Sequence, residues 1–402
     1  MKPSVLLVVG IFLAVYGGMH VYIYHKLGVF PAFASWSTAI TIAGLALSPL
    51  LVAFLTRTGF AGLATPLAWI AYVWMGYAFL FFCTALLLDA WQWTIMLTGY
   101  LSGADTTALT VPARYAVTCA ATVALAATLY GVHSAGHVGT VTVQIATPKF
   151  AAGDAPLRIV QISDLHLGLL TRESQLRRLI AEIKELDPDI IVSTGDLIDM
   201  QPDHVDRFAD LLSELRPRLG KFAINGNHEH FAGTADAEAF AARAGFQVLT
   251  STAVTLGNRI TIVGIDDGAL PHGDGNPGEA AILAAYPDDR FLLLLKHQPV
   301  VDPAAAERFD LQLSGHIHGG QIFPFHLLTH LAYHVAPGLT RVGAHAWLYT
   351  SRGTGTWGPP LRVLAPAEVT IIDLTAGTTP PVVTRVSQDR RAVGTAPSRL
   401  TG

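Results

Sequence analysis

Long apolar runs dominate roughly the first third of the chain. Four of them contain no Asp, Glu, Lys or Arg: Val5–Tyr24, Trp36–Leu55, Leu67–Leu88 and Tyr115–Tyr130. Each run approaches the ~20 residues that a helix needs to cross the apolar core of a bilayer. A helix on the surface of a soluble domain would carry a polar face, which these runs lack. The pattern therefore predicts a transmembrane region with four helices over residues 1–135.

The hydrophobic pattern changes after this region. Residues 136–155 are rich in Gly, Thr and Ala and predict a linker with an entry strand at Val141–Ile145. From Leu157–Ile162 onwards, short strand-like runs alternate with amphipathic helices such as Glu173–Leu186, whose apolar residues share one face. This alternation predicts an α/β domain over residues 156–376.

Charge and composition add three expectations. Residues 1–150 hold five Lys or Arg but two Asp or Glu, whereas the remainder is mildly acidic without a basic stripe, so no nucleic-acid partner is expected. The two cysteines, Cys83 and Cys119, fall in apolar stretches and predict neither a metal site nor a disulfide framework. Residues 377–402 lack an apolar period, which predicts a disordered tail.

The spans favour an anchor over a transporter, because His20 is the one titratable residue within them. With four spans, the N-terminus and the α/β domain share one side of a multi-pass protein in the cell membrane. Basic residues near the span ends number three on that side and two on the other, which leaves the side of the domain open. They are Lys2, Arg57 and Lys149 against Lys26 and Arg114.

Five polar clusters in the second part have metal-binding chemistry. Four of them end a strand-like run, and one follows the shorter run Lys221–Ile224. Sheets in α/β proteins present their sites at the carboxyl ends of strands, and carboxylates, imidazoles and amides bind hard and borderline divalent metals. The clusters are Asp164-Leu165-His166, Gly195-Asp196-Leu197-Ile198-Asp199, Gly226-Asn227-His228-Glu229, His297 and Gly315-His316-Ile317-His318.

This ordered series resembles the calcineurin-like metallophosphoesterase superfamily. The later stretches His318-Gly319-Gly320-Gln321 and Ser351–Pro360 resemble its bacterial membrane-associated branch. The resemblance covers about residues 155–375. It implies two packed mixed sheets flanked by helices, a four-layer α-β-β-α sandwich, here preceded by a four-helix transmembrane region.

The resemblance also implies a site with two divalent metal ions, for which Mn, Fe, Zn and Co are all suitable. It assigns one ion to Asp164, His166, Asp196 and His318. It assigns the other to Asp196, Asn227, His297 and His316. His228 resembles the acid that protonates the leaving oxygen, which suits a group whose ordinary pKa is close to neutral.

Three neighbouring residues have open roles at this point. Asp199 is interpreted as a residue that orients a ligand or a loop backbone. Glu229 has the same possible role, with a solvated loop residue as the favoured alternative. Arg352 is a candidate donor to a substrate phosphate, with a surface ion pair as the alternative. Apolar runs at Leu169-Leu170 and Ile322–Leu328 predict either an exposed rim that faces the bilayer or ordinary core packing.

The resulting hypothesis is a membrane-anchored dimetal phosphohydrolase that uses metal-activated hydroxide. Its expected partners are the bilayer and a phosphoester or pyrophosphate within a lipid or an envelope precursor. The alternative is a catalytically silent membrane scaffold or sensor with the same fold. A silent relative would be expected to lose ligands, and this chain retains every one.

Overall fold

The computed structural model describes residues 3–199, 205–266, 278–286 and 289–386. The chain forms two compact units. The helical unit comprises Met1–His133 together with two short segments that return to it from later in the chain, Ile322–Pro324 and Gly358–Val363. The two-sheet unit comprises the other described residues.

Four long helices build the described part of the helical unit: α1 (Pro3–Leu27), α2 (Trp36–Arg57), α3 (Ala61–Ser102) and α4 (Ala113–Ala135). Three helical stretches are long and apolar enough to cross a membrane: Trp36–Arg57, Ala61–Ser102 and Thr107–Ala135. This supports a membrane protein, while the count of four spans stays a prediction.

Polar side chains inside the helical unit pair with one another. Nζ of Lys26 lies 2.5 Å from Oδ1 of Asp89, and the hydroxyl of Tyr22 donates to Oδ2 of the same residue at 2.7 Å. The indole N–H of Trp74 donates to Nε2 of His20 at 2.9 Å. Such pairing offsets the cost of placing polar groups among apolar helices.

The described part of the two-sheet unit contains thirteen strands and six α-helices. The strands are β1 (Val138–Thr147), β2 (Leu157–Ile162), β3 (Ile190–Ser193), β4 (Lys221–Ala223), β5 (Gln247–Val248), β6 (Thr252–Leu256), β7 (Ile260–Ile265), β8 (Phe291–Lys296), β9 (Leu311–Ser314), β10 (Gly338–Arg341), β11 (Trp347–Thr350), β12 (Ala367–Ala376) and β13 (Val382–Val386). The helices are α5 (Glu173–Glu185), α6 (Asp206–Ser213), α7 (Asn227–Ala232), α8 (Thr234–Arg243), α9 (Glu279–Ala284) and α10 (His326–Tyr333).

The first sheet has seven strands in the order β13-β1-β12-β2-β3-β4-β5. Strands β2 to β5 are parallel, whereas β12 is antiparallel to β2 and β13 is antiparallel to β1. The predicted entry strand is confirmed as β1, which pairs with β12 along its whole length. Strand β13 corrects the prediction of disorder from residue 377, because Val382 to Val386 complete a ladder with β1; residues 387–402 lie outside the described residues.

The second sheet has six strands in the order β10-β11-β9-β8-β7-β6. Its four central strands are parallel, and the edge strands β6 and β10 run antiparallel to their neighbours. Gly257 and Asn258 lie in the tight turn of a hairpin that joins β6 to β7. One cluster of buried side chains draws on both sheets, including Val192 of β3 and Leu293 of β8. The predicted pair of mixed sheets is therefore confirmed, while the four-layer arrangement stays a prediction.

Helix α5 confirms the amphipathic pattern of its sequence. Its apolar face is buried in a cluster that also contains Val160 of β2 and Ile191 of β3. The packing of α5 on these strands fixes the sheet edge at which β2 and β3 end. The buried residues of this face are Leu176, Leu179, Ile180 and Ile183.

Candidate metal centre

Each predicted metal ligand lies shortly after the carboxyl end of a strand. Asp164 and His166 follow β2, Asp196 follows β3, and Asn227 follows β4 in the first sheet. In the second sheet His297 follows β8 directly, and β9 is followed by His316 and His318. Because parallel strands end at the same sheet edge, short loops after these strands bring the side chains together.

The backbone is strained at these ligands. Five of the ten non-glycine residues with positive φ in the described chain are predicted ligands. Such conformations cost roughly 1–3 kcal/mol each and collect at functional sites, where the surrounding structure holds them. The packing around the five residues therefore maintains a conformation that they would not adopt alone. They are Asp164, His166, Asp196, His316 and His318, with φ between 48° and 70°.

Two glycines allow the loops to approach one another. A Cβ atom at Gly226 would lie 2.3 Å from Oδ1 of Asp196, and one at Gly315 would lie 2.2 Å from Oδ2 of Asp164. Atoms cannot pack this closely, so a side chain at either position would displace a predicted ligand. The backbones of these loops therefore approach the ligands of the neighbouring loops closely.

One group of donor atoms consists of Asp164, His166 and His318. The Nε2 atoms of the two histidines lie 3.0 Å apart, and Nε2 of His318 lies 3.5 Å from Oδ1 of Asp164. All three side chains are buried, and one ligand atom from each lies within 4.8 Å of the others. This spacing suits a single metal ion.

A second group consists of Asp196, His297 and His316, with Asn227 beside them. Nε2 of His297 lies 3.2 Å from Oδ2 of Asp196, 3.1 Å from Oδ1 of Asn227 and 3.2 Å from Nδ1 of His316. The ligand atoms of Asp196, His297 and His316 lie within 4.8 Å of one another. Four donors of the types expected from the sequence thus converge on one point.

Asp196 connects the two groups. Its Oδ2 atom lies 3.2 Å from Nε2 of His297 and 3.7 Å from Nε2 of His166. Burial alone would raise the pKa of this carboxyl, but the charge and hydrogen bond of His297 bring the pKa well below its ordinary value. The carboxyl group of Asp196 is therefore ionised at neutral pH.

The hydrogen bonds of His297 test whether this arrangement fits a cation. Its Nδ1–H donates to the carbonyl oxygen of Thr194 at 2.7 Å. In the neutral ring this leaves the lone pair of Nε2 facing the oxygens of Asp196 and Asn227, a repulsion that either a proton on Nε2 or a cation among the three atoms relieves. Such a carbonyl partner is the usual support of a metal-bound imidazole. The residues therefore fit a metal ion.

Two further histidines are neutral, which is the state that metal binding requires. Burial lowers the pKa of His166 to about 4. Burial and the neighbouring His297 lower the pKa of His316 to about 3. Both rings therefore offer a lone pair at neutral pH without first losing a proton.

His228 has a different environment. Its Nδ1–H donates to Oδ1 of Asp199 at 3.0 Å. Burial alone would lower the pKa of His228, but the hydrogen bond to Asp199 and the charge of Asp196 raise it above its ordinary value. A His228 atom also lies within 4.8 Å of ligand atoms of His166 and Asp196. Its ring makes edge contacts with Phe231 and Trp357, at centroid distances of 6.0 and 5.8 Å.

Glu229 is not a solvated loop residue, and that prediction is wrong. Its carboxylate is buried and accepts hydrogen bonds from the backbone N–H groups of Gly226, Asp196 and Leu197 at 2.8, 2.9 and 2.7 Å. Glu229 lies in the first turn of α7, where a glutamate can reach back to free N–H groups. Burial and the charge of Asp196 raise its pKa to about 7. The residue ties together the two loops that carry Asp196 and Asn227.

Arg352 is buried rather than on the surface. Nη1 lies 2.5 Å from Oε2 of Glu368, and 11% of the arginine side chain is exposed. The hydroxyl of Tyr349 donates to the other carboxylate oxygen of Glu368 at 2.8 Å. The ion-pair alternative is thus observed, but as a buried pair, while a role of Arg352 towards phosphate stays a prediction.

Sequence reasoning missed Tyr333 at the end of α10. Its hydroxyl shares a hydrogen bond of 2.6 Å with Nε2 of His316. Nδ1 of His316 faces the second donor group, so Tyr333 orients the ring from its other side. The tyrosine ends a short apolar helix, and no spacing rule links it to the metal motifs.

The predicted apolar rim is partly exposed. Ile322 is buried in the helical unit, and Leu169 and Leu170 are half-buried. Exposure is large from Phe323 through α10 and again at Phe231 and Trp357, which flank His228. In α10 the exposed apolar residues are Leu327, Leu328 and Leu331.

Comparison with known proteins gives consistent matches. The model of the calcineurin-like phosphoesterase family matches residues 157–320. An uncharacterized metallophosphoesterase of Aquifex aeolicus is 35% identical over 238 residues, which cover 57% of this chain and 89% of that protein. An uncharacterized metallophosphoesterase of Bacillus subtilis is 38% identical over 233 residues, 54% of this chain and 78% of the relative. A transmembrane protein with metallophosphoesterase domain from Danio rerio is 34% identical over 268 residues, 61% and 60% of the two chains.

Proposed function

Because this chain belongs to the calcineurin-like metallophosphoesterase family and is therefore a metal-dependent phosphoesterase, we propose that it is a dimetal phosphohydrolase anchored in the cell membrane. The observation that carries the two-metal proposal is the position of Asp196, whose Oδ2 lies within 4 Å of one histidine from each donor group: 3.7 Å from His166 and 3.2 Å from His297. A carboxylate in this position can bridge two cations.

In this proposal seven residues hold two divalent ions drawn from Mn, Fe, Zn and Co. Asp164, His166, Asp196 and His318 hold one ion. Asp196, Asn227, His297 and His316 hold the other. When bound, such ions make hydroxide available at neutral pH and neutralise charge on the transferred phosphoryl group.

The chain's own residues supply the proton and the orientation. His228 keeps one proton on Nδ1, which is fixed by the bond to Asp199. Its Nε2 can then carry the proton that the leaving oxygen receives, and the raised pKa of His228 favours the protonated ring. Glu229 holds the backbone of the Asp196 and Asn227 loops, so the bridging carboxylate stays in position.

The proposed substrate is a phosphoester or pyrophosphate within a lipid or an envelope precursor. Phe231 and Trp357 place exposed apolar rings beside His228. Such rings suit an apolar substrate better than a small soluble metabolite, which polar groups would bind. We extend the proposal to a multi-pass topology with four spans, counting α1, and to a four-layer sandwich in the two-sheet unit.

The test uses the purified full chain in detergent, stripped of metal and then supplied with each candidate ion. A panel of soluble and lipid phosphoesters is assayed, and bound metal is counted. We expect two ions per chain in the native protein, loss of most activity and of bound metal in Asp196→Asn, and no change in the control Asp236→Asn on the exposed face of α8. A protein that binds metal but cleaves none of the panel would favour the silent scaffold.

A further inference from the structure

Two short segments of the phosphoesterase part belong to the helical unit. Leu361 is fully buried there, in a cluster with residues of α1, α3 and α4. Ile322 of the other segment is buried in the same cluster. One backbone hydrogen bond joins the two segments: the N–H of Phe323 donates to the carbonyl oxygen of Val363 at 3.0 Å. The helical unit therefore buries apolar residues from two pieces of chain that come from beyond the metal motifs.

The side chain of Leu361 packs against two helix glycines, Gly76 and Gly131, which together are called its seat. A Cβ atom added at Gly76 of α3 would lie 2.6 Å from Cδ2 of Leu361, and one added at Gly131 of α4 would lie 3.0 Å from its Cβ. The backbone N–H of Arg362 also donates to the carbonyl oxygen of Gly131 at 2.9 Å. Any larger residue at Gly76 would have to move the Leu361 side chain.

The residues that precede these segments lie close to predicted residues of the metal centre. Gln321 comes three residues after His318, and Trp357 has its ring 5.8 Å from that of His228. Two hydrogen bonds join these residues, a pair called the clasp below. Nε2 of Gln321 donates to the carbonyl oxygen of Trp357, and the backbone N–H of Trp357 donates to Oε1 of Gln321, both at 2.9 Å. Each is one peptide bond from a segment of the helical unit.

We propose that Leu361, seated against Gly76 and Gly131, is a positioning residue for the hydrolytic site. By fixing Ile322–Pro324 and Gly358–Val363, the helices hold the clasp of Gln321 and Trp357 and thus the aromatic edge beside His228. The membrane helices are then a working part of the enzyme in addition to its anchor. This inference rests on the proposed role of His228 in hydrolysis.

The test changes the seat without touching the metal centre. Gly76→Leu and the milder Gly76→Ala are made in the full chain in detergent, with Gly44→Leu and Gly44→Ala in α2 as controls. No heavy atom lies within 4 Å of a Cβ built at Gly44, counting the described residues outside its own helical turn. For Gly76→Leu we expect kcat on a soluble alkyl phosphodiester to fall roughly tenfold or more, because small misplacements of catalytic groups are costly. Metal content should be unchanged, and the controls should match the native protein.

Two further measurements separate positioning from general damage. Leu361→Ala, combined with Gly76→Leu, makes room for the new side chain and should restore much of kcat. Hydrogen exchange of the peptide that contains Trp357 should be faster in Gly76→Leu than in Gly44→Leu. Equal kcat and equal exchange in folded Gly76 and Gly44 variants would overturn the proposal. Faster exchange in a protein without any turnover would retain the clasp but contradict the hydrolytic function.

Discussion

Helices α5 and α10 follow the first and the last metal-binding motifs, and they differ in the burial of their apolar residues. In α5, Leu176, Leu179, Ile180 and Ile183 are buried against the first sheet. All eight residues of α10 are described, and none is buried. Burying one such side chain stabilises a fold by roughly 1.5–3 kcal/mol. The apolar face of α5 therefore contributes to the stability of the two-sheet unit, whereas that of α10 does not. The apolar residues of α10 are therefore explained by something other than the stability of the two-sheet unit.

Two features of α10 point to the function of the site. The preceding segment, Ile322–Pro324, belongs to the helical unit, and α10 begins two residues after it. At its other end Tyr333 contacts the predicted ligand His316. A helix between these two points can present Leu327, Leu328 and Leu331 to a bilayer while it supports the metal centre. The comparison thus separates a helix that is buried against the sheet from an exposed helix that contacts a predicted ligand.

The largest expected difference between the two helices is in stability. Ile183→Asp would bury an unpaired charge in α5 and should lower the free energy of unfolding by roughly 4 kcal/mol or more. Leu331→Asp makes the same chemical change in α10, where 70% of the leucine is exposed, and should change it by no more than about 0.5 kcal/mol. Denaturant unfolding followed by circular dichroism measures both. Equal losses would show that α10 is a structural helix like α5.

The sequence predicted much of this arrangement because its signals are local. The face of α5 follows from apolar residues three and four positions apart, and the ligand loops follow from polar residues placed directly after strands. The motif order of the family was sufficient to predict that Asp196 lies beside two histidines. Each of these features depends on a short stretch of chain, so the sequence alone is sufficient to predict its position.

The features that were missed depend on distant partners. Glu229 looked like a loop residue because the N–H groups that it binds include two, of Asp196 and Leu197, that lie more than 30 positions away. Tyr333 and Leu361 show no periodic pattern, and their roles arise from contacts with His316 and with two helix glycines. A single apolar residue in a loop rich in Gly and Pro does not reveal that it will be enclosed by membrane helices.

A smaller effect is expected where α10 contacts the metal centre. Tyr333→Phe removes the hydrogen bond to His316 but keeps the aromatic ring in place. Loss of such a support should weaken metal binding by roughly 10- to 100-fold, which titration of the stripped protein with Mn would measure. Thr329→Ala, which removes a hydroxyl that donates to the carbonyl oxygen of His326 within the same helix, is the control. Native affinity in Tyr333→Phe would mean that α10 contributes nothing to the metal centre.

The smallest effect is the one that concerns the membrane. Leu327→Gln with Leu331→Gln makes the exposed face of α10 polar, and because both leucines are more than half exposed the fold should not change. If this face lies in the bilayer interface, the double variant loses apolar burial there; a loss of about 1.4 kcal/mol would lower the rate on a lipid phosphoester in vesicles about tenfold. The rate on a soluble phosphodiester should stay the same, because the metal ligands and His228 are untouched.

The matched change Arg177→Gln on the exposed face of α5 should alter neither rate. Equal falls on lipid and soluble substrates would show that α10 supports the chemistry alone, and its exposed leucines would then have no membrane role.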